Sequence, residues 1–182
     1  MQLSNHGSPF KHHDFGACNF LTCPSIDGQV ELDSCYLTPA LHATGEAMTT
    51  SLKPLPTVVL IHGGPRTRLT NAFNLYYYML APYLLSKGYG ILLPNYRGSS
   101  GRGERFASYT VGGTGHYDYA DVIALTQNAI EQGYADKERL FVAGWSTGGL
   151  LTLLCSVRNG SHGYGWKFNA SSPAPQSVIW TP

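Results

Sequence analysis

Gly144-Trp145-Ser146-Thr147-Gly148-Gly149 lies between the run Arg139-Leu140-Phe141-Val142-Ala143 and the apolar segment Leu150 to Val157. The first run has the pattern of a strand in a parallel sheet, and the second has the length of an apolar helix ending near Asn159-Gly160. A G-x-S-x-G pattern in that setting predicts a nucleophile elbow. The chain must reverse so sharply there that the serine takes a strained backbone conformation, and glycines on both sides keep neighbouring side chains from colliding. The strain presents the hydroxyl to solvent, just ahead of a helix whose N-terminal amides and dipole favour negative charge. Ser146 is the candidate nucleophile, Gly144 and Gly148 the elbow glycines, and the Thr147 amide one candidate oxyanion donor. Glycine and serine are common residues, so the flanking strand and helix carry this reading rather than the five letters alone.

Upstream, Thr57-Val58-Val59-Leu60-Ile61 is a continuous apolar, β-branched run, as expected of a strand buried on both faces. It ends at His62-Gly63-Gly64-Pro65, where residues without side chains let backbone amides approach a substrate carbonyl. His62 precedes the nucleophile on that same turn and reads as structural rather than as a general base. Phe73 to Lys87 predicts a crossover helix that Pro82 limits or kinks and Gly88 stops. Gly90 to Pro94 is the next strand, followed by the glycine-rich turn Arg97 to Gly103. Asp118 to Gln132 predicts a helix with one apolar face, closed by Gly133. Alternating strands and helices define an α/β fold with a mostly parallel sheet and right-handed crossovers. Nearer the start, two β-type runs flank Ile26-Asp27-Gly28-Gln29 and predict an antiparallel hairpin. Residues 40–56 lose periodicity and read as a surface connection.

The composition agrees with a single globular domain, with 182 residues of which 43% are hydrophobic. A net charge of +1 supplies no field to attract nucleic acid or an anionic membrane, and neither is expected as a partner. The N-terminal residues hold no apolar signal-peptide core, and no stretch reaches the roughly 18 apolar residues of a membrane span. A cytoplasmic address is the expectation. Cys18, Cys23, Cys35 and Cys155 are too irregularly spaced for zinc and too few for a disulfide scaffold, so reduced thiols are expected. No metal or cofactor is called for. The sequons at Asn159 and Asn169 are short patterns that arise by chance.

The sequence resembles the prolyl oligopeptidase family of serine peptidases, most of all its acylaminoacyl-peptidase and dipeptidyl-peptidase branch. Four blocks carry the likeness over roughly residues 15–166: Leu60 to Pro65, Pro94-Asn95-Tyr96-Arg97-Gly98-Ser99-Ser100-Gly101, the helix with Asp118 and Asp121, and Gly144 to Gly149. Proline after His-Gly-Gly, with the Asn-Tyr-Arg-Gly-Ser block, separates this pattern from esterases and lipases with His-Gly-Gly-Gly. The resemblance implies an α/β-hydrolase fold, a Ser-Asp-His triad in that chain order, an acyl-enzyme and short or N-acylated peptide substrates. It assigns Ser146 as nucleophile and makes Thr147 and Gly64, or else Gly63, the oxyanion donors. Arg97 matches a family arginine expected to support the active-site loops; the alternative is a solvated loop cation. Asp118 and Asp121 read as helix-start and loop-tethering residues. A homo-oligomer is a possibility for the complete enzyme.

The sequence also departs from the pattern. No Asp or Glu follows Ser146, and the only later histidine, His162, reads as a loop residue at a helix end. The expected domain organisation is a leader over 1–14, the N-terminal part of a hydrolase domain over 15–166 and an irregular tail over 167–182. The fold is expected to be incomplete at its C-terminus, without the propeller that precedes the domain in the family. An inactive fragment and a carboxylesterase stand as the alternative readings.

Overall fold

The computed structural model describes residues 16–40, 53–72 and 80–174, and the expected leader lies outside them. Strands β1 (Ala17–Pro24) and β2 (Glu31–Thr38) pair antiparallel around the predicted hairpin loop, in which Gly28 takes φ 67°. Strand β3 (Leu55–Ile61) is followed by helix α1 (Leu80–Ser86), strand β4 (Gly90–Asn95), a short helix α2 (Glu104–Ala107) and helix α3 (Tyr117–Glu131). Strand β5 (Ala135–Trp145), helix α4 (Thr147–Val157) and strand β6 (Phe168–Ala174) complete the order. The first half of the predicted crossover helix, residues 73–79, and most of the 40–56 connection lie outside the described residues.

All six strands form one sheet in the order β1-β2-β4-β3-β5-β6. Strands β3, β4, β5 and β6 run parallel, while β2 joins β4 antiparallel. Side chains alternate between the two faces of a strand, and both faces of this sheet are covered. Tyr36, Val59, Ile61, Leu92, Leu140 and Val142 pack with α3 and α4 residues such as Val122, Leu125 and Leu151. Cys35, Ile91 and Leu93 point the other way, against Leu69 and the α1 residues Ala81 and Leu85. Every residue of β4 is buried, the burial that its uninterrupted apolar pattern predicts.

The sequence reading of 167–182 as an irregular tail fails at Phe168–Ala174, which pairs parallel with β5 from Leu140 to Trp145. Asn-Ala-Ser-Ser-Pro-Ala carries no β-branched residue and gives no strand signal. Pairing supplies what propensity lacks. Phe168 anchors the strand in the core, and the Asn159 side chain donates to the Phe168 carbonyl and accepts from its amide, each at 2.9 Å. Asn169 Oδ1 accepts from the Leu140 amide at 2.8 Å.

Candidate active site

Because β3 sits between β4 and β5 and parallel to both, the turns that follow these strands leave the same end of the sheet. Ligands of open α/β sheets bind at that carboxyl end. The turn after β5 holds Ser146 at φ 56° and ψ −121°, the only positive φ outside glycine among the described residues. Serine tolerates that conformation at a cost of about 1–3 kcal/mol and persists there only when the surroundings enforce it. The surroundings here are backbone. A Cβ on Gly144 would run into the Gly148 carbonyl, and one on Gly148 would run into the Ile61 carbonyl. The two glycines therefore let β5, α4 and the end of β3 close on one another. Ser146 is half-buried, and its carbonyl accepts the first helical bond of α4 from Leu150 N–H at 3.1 Å.

The turn after β3 meets this elbow directly. Ile61 pairs with Gly144, and a Cβ on Gly63 would stand 2.8 Å from the Trp145 carbonyl and 3.2 Å from the Ser146 Cβ. Gly63 is buried, whereas Gly64 is exposed, with φ 134°. His62 is 2% exposed and stacks on Tyr96 with ring centroids 4.5 Å apart. Its Nδ1 lies 2.8 Å from the Gly63 carbonyl and its Nε2 lies 3.0 Å from Ser99 Oγ. Burial lowers the His62 pKa to about 4 despite the opposing Gly63 hydrogen bond, so the ring is neutral near pH 7. Both ring nitrogens are engaged, which leaves His62 no lone pair for a serine proton.

The turn after β4 carries the buried cation. Arg97 is 1% exposed and donates to Asp121 from its main-chain amide at 2.9 Å, from Nε at 2.8 Å and from Nη2 at 2.6 Å. Its Nη1 donates to Asp27 in the hairpin loop at 2.7 Å, and its guanidinium lies over Tyr117 and Tyr109. Burial would lower its pKa, but the two aspartates outweigh that and raise it. Burial would raise Asp27, yet hydrogen bonds from Arg97, Ser25 and the Gln29 amide bring its carboxyl down to about 2. The solvated-cation alternative for Arg97 is thereby excluded. Asp121 tethers this turn, while Asp118 Oδ1 accepts from the Gly115 and Tyr119 amides at the start of α3. Asn95, at the end of β4, belongs to the Pro94–Gly101 block, in which the sequence assigns it no role of its own. It accepts from the Leu69 amide at 2.8 Å and donates to Asp33 at 2.8 Å, tying the segment after β3 to the sheet.

His162 stands apart from these turns. Its ring packs on Trp166 at 4.0 Å, Nδ1 accepts from the Tyr164 amide at 3.3 Å, and Nε2 is buried without a partner among the described residues. No group of three or more His, Cys, Asp or Glu side chains fit to hold a metal occurs among the described residues. No described helix is long and apolar enough to cross a membrane.

A parallel sheet carrying a left-handed serine at a strand-to-helix turn, with a glycine turn from the neighbouring strand against it, defines an α/β-hydrolase fold. Comparison with known proteins narrows the class. Residues 76–165 match the prolyl oligopeptidase family. Acylamino-acid-releasing enzyme 1 of Oryza sativa subsp. japonica is 38% identical over 97 residues, 53% of this chain and 12% of that protein. Dipeptidyl aminopeptidase BIII of Pseudoxanthomonas mexicana is 35% identical over 100 residues, 55% of this chain and 14% of that protein. The structure of an acylaminoacyl peptidase in complex with Z-Gly-Gly-Phe-chloromethyl ketone superimposes with a TM-score of 0.73 at 27% identity, covering 94% of this chain and 25% of that one. The family match takes in 90 of the 182 residues, and the chain spans 12% and 14% of the lengths of these two relatives.

Proposed function

We propose that the chain forms the nucleophile-bearing part of a serine-type peptidase that cleaves short or N-acylated peptides in the cytoplasm, without a cofactor. The observation that carries the proposal is the conformation of Ser146, held at positive φ between β5 and α4 with Gly63 against its Cβ. Ser146 Oγ attacks the scissile carbonyl carbon while a histidine takes the hydroxyl proton. The carbonyl π electrons move to oxygen, and the Thr147 and Gly64 amides stabilise that oxyanion. Collapse breaks the C–N bond, the amine leaves with the proton, and water then hydrolyses the acyl-enzyme. No histidine–acid pair for Ser146 is found among the described residues: His62 has both ring nitrogens engaged, and these 182 residues hold no Asp or Glu after Ser146 to orient His162. A fluorophosphonate probe applied to the complete gene product tests the assignment. Labelling on the Ser146 peptide that vanishes in Ser146→Ala supports it, and equal labelling of the alanine variant refutes it.

That same absence favours a second reading, in which these 182 residues by themselves are catalytically silent. Losing the base of a serine triad costs roughly a millionfold in turnover, with about 10³–10⁴ over water left by binding and the oxyanion site. Assay of the purified chain on an acyl-alanine chromogenic substrate decides: turnover near that of a complete peptidase excludes the silent reading.

A further inference from the structure

We infer that Asn159 is a self-modifying latch on β6: when the strand opens, the Gly160 amide attacks the Asn159 carboxamide, and the aspartate or isoaspartate that results no longer holds the strand. Asn159 alone among the asparagines of the sequence precedes glycine. Its side chain pins the start of β6, donating from Nδ2 to the Phe168 carbonyl and accepting at Oδ1 from the Phe168 amide, each at 2.9 Å. The pair of bonds imitates a rung of a β-ladder. β6 lies at one end of the strand order and, among the described residues, pairs only with β5. A strand held along one side opens locally at a lower cost than the strands within the sheet.

Asn159 is exposed, and Gly160 takes φ 79°. The Gly160 N–H forms no hydrogen bond among the described residues, and the methylene stem of Lys167 that lies against this glycine offers no acceptor. Glycine has no Cβ to obstruct the approach of its nitrogen, and its backbone freedom lets that nitrogen reach Cγ. While β6 is docked, the carboxamide is tied at both ends to Phe168 and is not free to turn. Once β6 opens, it is. The Gly160 nitrogen then gives its proton to solvent hydroxide and bonds to Cγ; the Cγ–Nδ2 bond breaks, and Nδ2 takes a proton from water and leaves as ammonia, closing a cyclic imide. Water opens the ring at Cγ to give aspartate, or at the main-chain carbonyl to give isoaspartate. Water is consumed and ammonia released, with no oxidant and no enzyme. A carboxylate only accepts hydrogen bonds, so the Phe168 carbonyl loses its donor and faces a charged oxygen instead. At the far end of β6, Ala174 pairs with Trp145, the residue before Ser146, so the latch acts on the strand that flanks the elbow.

Ageing the 182-residue chain in mildly alkaline buffer, followed by peptide mass spectrometry with chromatographic separation of aspartate from isoaspartate, tests the chemistry. Deamidation is expected to concentrate at Asn159 and to give both products. Asn169→Ala removes the 2.8 Å bond from the Leu140 amide and so opens β6 more often. It is expected to speed the loss of Asn159 about fivefold. Asn159→Asp supplies the product directly, and amide exchange at Phe168 and Leu140 is expected to be about tenfold faster than in the unmodified chain, with protection in α3 unchanged. An Asn159 that stays intact or ages like the other asparagines, or an Asn169→Ala variant that ages no faster, overturns the self-modification. Unchanged exchange at Phe168 and Leu140 in Asn159→Asp overturns the latch. Should Asn159→Asp fail to fold, the deamidated fraction of the aged unmodified chain, separated by ion exchange, gives the same comparison; a low concentration of urea serves in place of Asn169→Ala. None of these readouts depends on the Ser146 hydroxyl, so the latch and the peptidase reading fail separately.

Discussion

Replacing Ser146 by glycine is expected to make the folded chain more stable than replacing it by alanine, the reverse of the ordinary order. Glycine inside regular structure is normally worse than alanine by about 0.5–1 kcal/mol because it has more freedom to lose. At φ 56° the balance changes, since a residue with a Cβ carries about 1–3 kcal/mol of backbone strain and glycine carries almost none. Subtracting the entropic penalty from the relieved strain leaves Ser146→Gly ahead of Ser146→Ala by about 1 kcal/mol at the middle of the two ranges and by roughly 2.5 kcal/mol at most. Neither variant retains the hydroxyl, so the comparison isolates the backbone. Urea unfolding followed by circular dichroism, read as a change in midpoint at constant slope, measures the difference, and each kcal/mol corresponds to about 2–4 °C in melting temperature for a chain of this size. An alanine variant as stable as the glycine variant, or more so, would show that the elbow is relaxed and would remove the strain argument on which the assignment of Ser146 stands.

Other consequences can be measured on the same chain. Arg97→Met leaves Asp121 buried without its cation and is expected to cost about 3–5 kcal/mol in urea unfolding, with part of that recovered when Asp121→Leu is added. Arg97→Lys keeps the charge but not the forked bonding and is expected to fall between the two. His62 has its pKa lowered from 6.5 to about 4, so the unfolded chain binds more protons between those values. Its contribution is therefore complete above pH 6.5 and is lost as pH falls towards 4, about 3 kcal/mol in all at 1.36 kcal/mol per unit. His62→Phe should flatten that part of a stability-against-pH curve; an unchanged slope would mean the ring titrates normally. Burial raises the pKa of the Cys35 and Cys155 thiols to about 12, and neither is expected to react with Ellman's reagent until the chain is unfolded.

The parts of the site legible in the sequence were those written in consecutive residues. Gly144 to Gly149 and His62 to Pro65 announce their turns because each turn needs glycine at fixed offsets, and the apolar runs before them announce buried strands. Boundaries moved where pairing extended an element beyond its own pattern: Ala135 opens β5 opposite Leu55, four residues before Arg139, where the predicted run begins. Strand β6 was illegible for the same reason, its place being fixed by β5 and by the Asn159 side chain. The hydrogen bonds around Arg97 lay beyond local reading altogether. Asp121 and Asp27 stand 24 and 70 residues from it, and an arginine beside glycines looks the same whether buried or solvated. The available signal was the presence of Asp27 and Asp121 among only 11 acidic residues.

The opening hairpin is farthest in sequence from Ser146, yet it holds the turns of the site. Arg68 and Arg102, from the segments after β3 and β4, both reach Asp33 on β2, at 2.8 and 3.2 Å. Burial decides which of these ion pairs matter. Arg66–Glu104 is exposed at 59% and 73% and belongs with surface pairs worth at most about 1 kcal/mol. Arg97 is 1% exposed, and Asp33 is 15% exposed while also accepting from Asn95, so cutting either leaves charge without solvent to replace the partner. Asp33→Ala is therefore expected to loosen Leu69 and the segment behind the Gly63-Gly64 turn without touching Ser146, seen as faster amide exchange at Leu69 and Ser100. Retained protection at both amides would mean that β2 merely lies beside the site and that the turns hold their geometry by themselves.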